Sequence, residues 1–194
     1  MWAMWTLLPL GNPGSEYSAT RHNLGRLMLQ RWIEDRGLSP KAIQEFQTGR
    51  LYRLNQDFQA LVPGSFMNLS GQTAAEAAAS GLPLERMLLL MDDKDLPLGR
   101  GRLRLFGSDG GHRGLRSVQA SLGTQNVARL RLGIGPFTRP LHDFVLGEWT
   151  EAEWEALDRL DAPFGHFLEA LAGCDSLGDL PNQVNWDEFW ARAS

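Results

Sequence analysis

Cysteine is nearly absent from this 194-residue chain: Cys174 stands alone, so an internal disulfide and a cysteine-cluster metal site are both excluded. That usage suits a reducing compartment. Cys174 itself sits in an acidic part of the chain with no cationic neighbour in sequence and reads as structural. His-Glu-x-x-His is missing, so metal catalysis has no motif behind it. Gly-x-Ser-x-Gly is missing as well, which removes the usual serine-hydrolase elbow. "GIGPF" lacks the third glycine of a dinucleotide fingerprint. There is also no long apolar run. "MWAMWTLLPL" carries no basic leader and passes directly into polar "GNPGSEY". It is too short to span a bilayer and reads as the first buried strand of a cytoplasmic protein. No internal repeat, low-complexity segment or long linker divides the chain, and its length suits one domain, residues 1–194, with a sizeable core.

What is present is unevenly charged. The net charge of −4 by itself points away from nucleic acid. Between Arg100 and Arg139, however, eight arginines face a single acid, Asp109, whereas Asp143 to Ser194 holds twelve acids against Arg159 and Arg192. A cationic centre beside an acidic tail is a polarised molecule whose centre could track phosphates. Counting alone leaves a plain solvated surface equally open.

Periodicity gives the organisation. "TLLPL" predicts a buried strand that Gly-Asn-Pro-Gly terminates. Leu24, Leu27, Met28 and Trp32 fall at helical spacing over residues 23–36, with Gly37 as a stop. "LYRLN" and "FQALV" flank "QD" as a hairpin, "SGQTAAEAAASG" is a small-residue helix and "MLLLM" a short strand. "GRLRLF" and "ARLRLGIG" alternate, so Arg102 and Arg104 share one strand face and Arg129 and Arg131 another. The Gly-rich loop "GSDGGHRG" and a short helix lie between them. Thr150 and Glu153 form a capping box for a helix with Trp154 and Leu157 inward, which Pro163 should kink or interrupt. From about residue 150 the chain is acidic and helical. Alternating strands and helices predict an α/β fold, a mixed sheet surrounded by helices.

Of the four histidines, His22 has the most telling company. "GNPGSEYSATRHN" places it ten residues past a constrained turn, at a helix entrance. A lone histidine there would serve equally as a structural hydrogen-bonding group. "FMNLSG" adds Asn68 just before a helix, and "MDDKDLPLG" puts Asp92 after an apolar strand, where α/β sheets present ligand-facing groups. A neutral imidazole oriented by a carboxylate can take a proton from water, while carboxamides position a carbonyl without adding charge. Such a set suits ester hydrolysis, because an alkoxide leaves more readily than an amine.

Taken together, "GNPGSEYSATRHNLG", "FMNLSG", "DDKDLPLGRGRLRL", "GGHRGLRS" and "RLRLGIG" resemble the bacterial peptidyl-tRNA hydrolase family in order and spacing over roughly residues 7 to 148. The resemblance implies a single α/β domain acting on the ester between a peptide and the tRNA 3′ end, recycling tRNA for translation. It implies no cofactor; the residues themselves lead to the expectation of no metal and no membrane partner, and a monomer is expected although the sequence does not fix the oligomeric state. By position it assigns His22 as general base, Asp92 as its support, and Asn12 as the group distinguishing blocked from free aminoacyl ends. Tyr17, Phe66 and Asn68 fall where the family contacts substrate, and Arg102, Arg104 and Arg131 where it meets tRNA phosphates. Tyr17 and Phe66 could instead be packing aromatics, and Asp93 or Asp95 could replace Asp92 if the register slips.

Two positions depart from the family pattern. Arg113 stands where the family usually has asparagine, in a loop expected to border the substrate channel, and Pro9 stands where glycine is common. Arg113 adds a fixed charge and cannot accept a hydrogen bond; it could pair with phosphate, close over the site, or abolish the asparagine's role. A different class of protein, an RNA-binding, splicing-type relative that has lost turnover, therefore remains open. Against it stands the intact set of Asn12, His22, Asn68 and Asp92. A general small-ester hydrolase is the third reading, but it leaves the arginine strands idle. In the tail "NWDEFWARAS", Trp186, Phe189 and Trp190 at helical spacing predict a packed terminal helix.

Overall fold

A computed structural model describes residues 4–137 and 140–191. Seven strands form one mixed sheet in the order β2-β3-β4-β1-β5-β7-β6. Its centre is parallel, with β1 (Trp5–Pro9) between β4 (Phe58–Pro63) and β5 (Met87–Pro97), and β7 (Arg129–Gly135) beyond β5. The flanks are antiparallel: β2 (Lys41–Glu45) and β3 (Gly49–Arg53) on one side, β6 (Gly101–Arg104) on the other. The predicted hairpin is the β3–β4 pair. β2 was not legible because all five of its residues are exposed and no apolar alternation marks it.

Helices cover both faces. One core layer packs α1 (Leu24–Asp35), α5 (Glu151–Asp158) and α6 (Asp161–Ala172) against Leu7, Leu88, Leu90, Leu130 and Leu132. The other packs α2 (Ser70–Ala79) and α3 (Arg113–Leu122) against Leu8, Leu61, Leu89 and Met91. Consecutive strand residues thus feed opposite layers, as a sheet buried on both faces requires. A Cβ on Gly71 would meet the Ser117 carbonyl at 2.1 Å, so only glycine lets α2 press this close to α3.

Several boundaries differ from expectation. β5 does not end at Asp92 but continues to Pro97, with its register against β7 shifting between Asp93 and Pro97. Arg113 belongs to the first turn of α3 rather than to the glycine loop. The Thr150–Glu153 capping box is present in both directions, and Pro163 lies in the first turn of α6 after a break from α5.

The tail forms two short helices, α7 (Leu180–Val184) and α8 (Asp187–Trp190), after α4 (Leu141–Val145) and α5–α6. Phe189 and Trp190 are buried while Trp186 is 64% exposed; the last three residues of the predicted tail lie outside the described residues. This segment closes the sheet edge. Asn185 accepts from the Leu103 N–H at 2.7 Å and donates to its carbonyl at 3.0 Å, satisfying the outward backbone of β6. Among the described residues no helix is long and apolar enough to cross a membrane.

Candidate active site

The turn after β1, the entrance to α1, the turn before α2, the distal half of β5 and the start of α3 converge on a cleft of about 530 Å3. Asn12, His22, Phe66, Asn68, Asp92, Arg104, His112 and Arg113 all line it. His22 and Asp92, 70 residues apart in sequence, meet there: His22 Nδ1 lies 2.8 Å from Asp92 Oδ1. Gly25 permits the meeting. A Cβ at that position would lie 2.2 Å from the Leu90 carbonyl, so any other residue would lift the helix entrance off β5.

The alternatives to Asp92 border the same cleft but are paired with other groups. Asp93 pairs with Arg131 Nε at 2.6 Å and accepts from the Asp95 N–H, while Asp95 pairs with Lys94 on the surface.

Asp92 has a second partner that the sequence reading passed over. His112 Nε2 approaches the same Oδ1 at 2.9 Å, and the two imidazole centroids are 4.9 Å apart. His112 is also the N-cap of α3: its Nδ1 accepts the Leu115 N–H. That bond fixes the tautomer, because a nitrogen that accepts from an amide carries no proton of its own, so Nε2–H donates to Asp92. Burial pushes the Asp92 carboxyl up, but the two imidazoles, by charge and hydrogen bond, hold it well below the usual carboxylate range. An anionic Asp92 makes His22 donate through Nδ1 and leaves Nε2 as its basic nitrogen. Burial disfavours the His22 imidazolium, yet Asp92 outweighs burial and raises its pKa above the ordinary 6.5, with Arg113 pulling it partly back. The available signal was "GGHRG": a histidine immediately before a helix can cap it, which places its ring at the helix mouth.

His22, Asp92 and His112 offer ligand atoms within 4.8 Å of one another and are the group that could hold a metal ion among the described residues. Their spacing is nonetheless that of two N–H donors sharing one acceptor oxygen. A metal would need Nδ1 of His22 and Nε2 of His112, the two protonated nitrogens, stripped of their protons.

Asn12 is buried and its orientation is fixed. Its Oδ1 accepts the Met67 N–H at 2.8 Å, so Nδ2 is what it offers a ligand. Asn23, also missed from sequence, clamps the Asn12 backbone from both sides: Asn12 N–H donates to Asn23 Oδ1 at 2.8 Å, and Asn23 Nδ2 donates to Asn12 O at 2.9 Å. Arg26 donates to Pro63 O at 2.6 Å, joining α1 to the end of β4, and burial lowers its pKa to about 10. Asn68 is exposed at the rim. Phe66, 52% exposed, meets Tyr17 edge-on at 6.1 Å, so the two form an accessible wall rather than core packing.

The arginines occupy one sheet face. Arg102 sits opposite Arg131 and Arg104 opposite Arg129 in the β6–β7 ladder, while Leu103, Leu130 and Leu132 point into the larger core. Like charges directly opposite are destabilising, so an anion is the natural complement of this face. The four are not equivalent. Arg104 is exposed, Arg102 half-buried and Arg131 already paired with Asp93. Arg129 is buried and donates to the carbonyls of Gly107, Ser108 and Val127, so it holds the glycine loop in place. Arg113 is exposed on the cleft wall, in the first turn of α3, where the helix dipole disfavours a cation.

Comparison with known proteins points to a family. The family model described as peptidyl-tRNA hydrolase matches residues 6–188. A protein of Pseudomonas fluorescens named peptidyl-tRNA hydrolase is 41% identical over 180 residues, covering 89% of this chain and 93% of its own. One of the same name from Carboxydothermus hydrogenoformans is 42% identical over 158 residues, covering 80% of this chain and 84% of its own. Among solved structures, a mutant of peptidyl-tRNA hydrolase from Acinetobacter baumannii superposes with a TM-score of 0.79 at 31% identity, covering 95% of this chain and 96% of that one.

Proposed function

Because this chain belongs to the peptidyl-tRNA hydrolase family and hydrolyses the ester between peptide and tRNA, we propose a route in which His22 acts as general base on water. The observation that carries it is the hydrogen bond from His22 Nδ1 to the buried Asp92 carboxylate inside the cleft. That bond leaves Nε2 unprotonated. Water gives its proton to Nε2 as its oxygen attacks the ester carbonyl, and the Asp92 anion stabilises the imidazolium that results. When the tetrahedral intermediate collapses, the bond to the terminal ribose oxygen breaks and the imidazolium returns its proton to that oxygen. The products are the peptide's carboxylic acid, which loses its proton to solvent to become the carboxylate, and a free tRNA end. His112, held by its own cap bond, keeps Asp92 anionic and aimed, and takes no part as a base.

Asn12 Nδ2 and Asn68 hold the acyl group, and the Asn12 amide is placed to read a blocked amino end. Tyr17 and Phe66 line the peptide side. Arg102 and Arg104 are the cations best placed for phosphates, with Arg131 joining once it exchanges Asp93 for an anion, and Arg113 borders the scissile bond. The RNA-binding alternative without turnover is not favoured by these relatives, and nothing in the geometry requires a cofactor for this route. Activity in the cytoplasm as a monomer completes the reading. The decisive experiment offers purified protein N-acetyl-aminoacyl-tRNA beside the unblocked aminoacyl-tRNA. Selective cleavage of the blocked form is expected. Tight RNA binding without cleavage would instead mean that the hydrolytic route is wrong.

A further inference from the structure

Phe106 is the most exposed large apolar side chain among the described residues, at 69%. A single exposed aromatic is ordinary by itself. Its setting is not. It lies just beyond β6, two residues past Arg104, and lines the same cleft as His22 and Asp92.

The backbone that carries it is pinned. The next residue's carbonyl, Gly107 O, accepts from Gln119 Nε2 at 2.7 Å and from the Arg129 guanidinium at 3.0 Å, and Gly107 N–H donates to Gln125 O at 3.2 Å. Arg129 also reaches Ser108 O. A buried guanidinium and α3 therefore mount this exposed ring on a fixed turn, and little further ordering would be lost on binding a flat ligand.

We propose that Phe106 is a stacking platform for an unpaired nucleobase of the tRNA 3′ end. The proposal rests on the functional reading above for the identity of the RNA. An exposed ring beside a row of guanidinium groups is the composition that holds single-stranded nucleic acid: each base lies on a π-face while its phosphates meet the cations. Phe106 adjoins the arginine face, whereas Phe66 and Tyr17 already furnish an aromatic wall from the turns before α1 and α2. The scissile ester lies on the terminal ribose, so the bases next to it are the ones that must enter a cleft shared by Phe106 and His22. Stacking there would fix the ribose and help bring the ester carbonyl to Nε2.

The test uses the full chain and a short single-stranded oligoribonucleotide with the sequence of the tRNA 3′ end, carrying 2-aminopurine as its last base and no acyl group. Wild-type protein should quench the fluorophore, and Phe106→Ala should bind about tenfold more weakly, the order of one lost base–aromatic stack. Phe106→Trp should retain affinity and quenching, and Phe106→Leu should behave like alanine, since bulk without a π-face does not stack. The salt dependence of binding should be unchanged in Phe106→Ala, because no phosphate contact is removed. Equal affinity of wild type and Phe106→Ala would overturn the proposal. So would a loss confined to acylated substrate, which would place the ring against the peptide. Because the probe has no ester, these readings stand apart from cleavage: failure of wild type to hydrolyse blocked aminoacyl-tRNA would count against the hydrolytic route and not against the stack.

Discussion

The two sides of the cleft are built on opposite principles. On the His22 side almost every polar atom is committed: Asp92 serves two imidazoles, His112 serves a helix end, and Asn12 is held by Asn23 and Met67. On the arginine side Arg102 and Arg104 stand open, and the buried Arg129 works behind them as a support. Proton transfer tolerates little displacement, so its groups are fixed by a satisfied buried network. Phosphates along a flexible strand vary in position, so exposed cations that act at longer range serve them better. A variant on the first side should therefore act on kcat, and one on the second side on binding and its salt dependence.

The sharpest break in that contrast comes from His22→Ala, which should lower kcat on N-acetyl-aminoacyl-tRNA by about 10²–10⁴-fold with the thermal transition retained. Near-normal turnover would remove the general base. Asp92→Asn comes next, with a kcat loss of about 10²-fold and a displaced acid limb. The base works only when neutral, so wild-type activity should fall as pH drops through a His22 pKa raised above 6.5. Without the carboxylate, burial and Arg113 remain to lower that pKa, so the limb should move to lower pH; a limb that stays put would mean His22 is not the titrating group.

Arg104→Ala should raise KM several-fold with kcat nearly intact and reduce the slope of log affinity against log salt by about one unit. An unchanged slope would take Arg104 out of phosphate contact. Arg113→Asn should give the smallest effect. Because its charge lowers the His22 pKa, removing it should shift the acid limb to slightly higher pH, and a pH–rate profile unaltered in shape and position would show that the guanidinium does not reach the site.

Legibility followed the same division. The strands and helices with regular apolar spacing, such as "MLLLM" and Leu24 to Trp32, could be read because burial on one face leaves a period. Arg102 and Arg104 could be assigned to one face for the same reason, since alternation is a local property. β2 left no mark because none of its residues is buried. His112 was passed over because its role depends on two bonds, one to Leu115 nearby and one to Asp92 across the cleft, and only the first is a local relation. Arg129 was indistinguishable from Arg131 by pattern; the difference is which of them the glycine loop folds over. Asp92 was separated from Asp93 and Asp95 by strand register, which no single segment contains.

The clasp of Asn185 on Leu103 bears on how an acidic tail can coexist with an arginine-rich surface. A loose polyanionic segment tethered beside this arginine cluster would act as a built-in decoy, occupying the cations at high local concentration before any RNA arrived. Bolted to the outer rim of β6 through Leu103, with Arg100 grasping the Asp187 carbonyl, the segment is kept from that use.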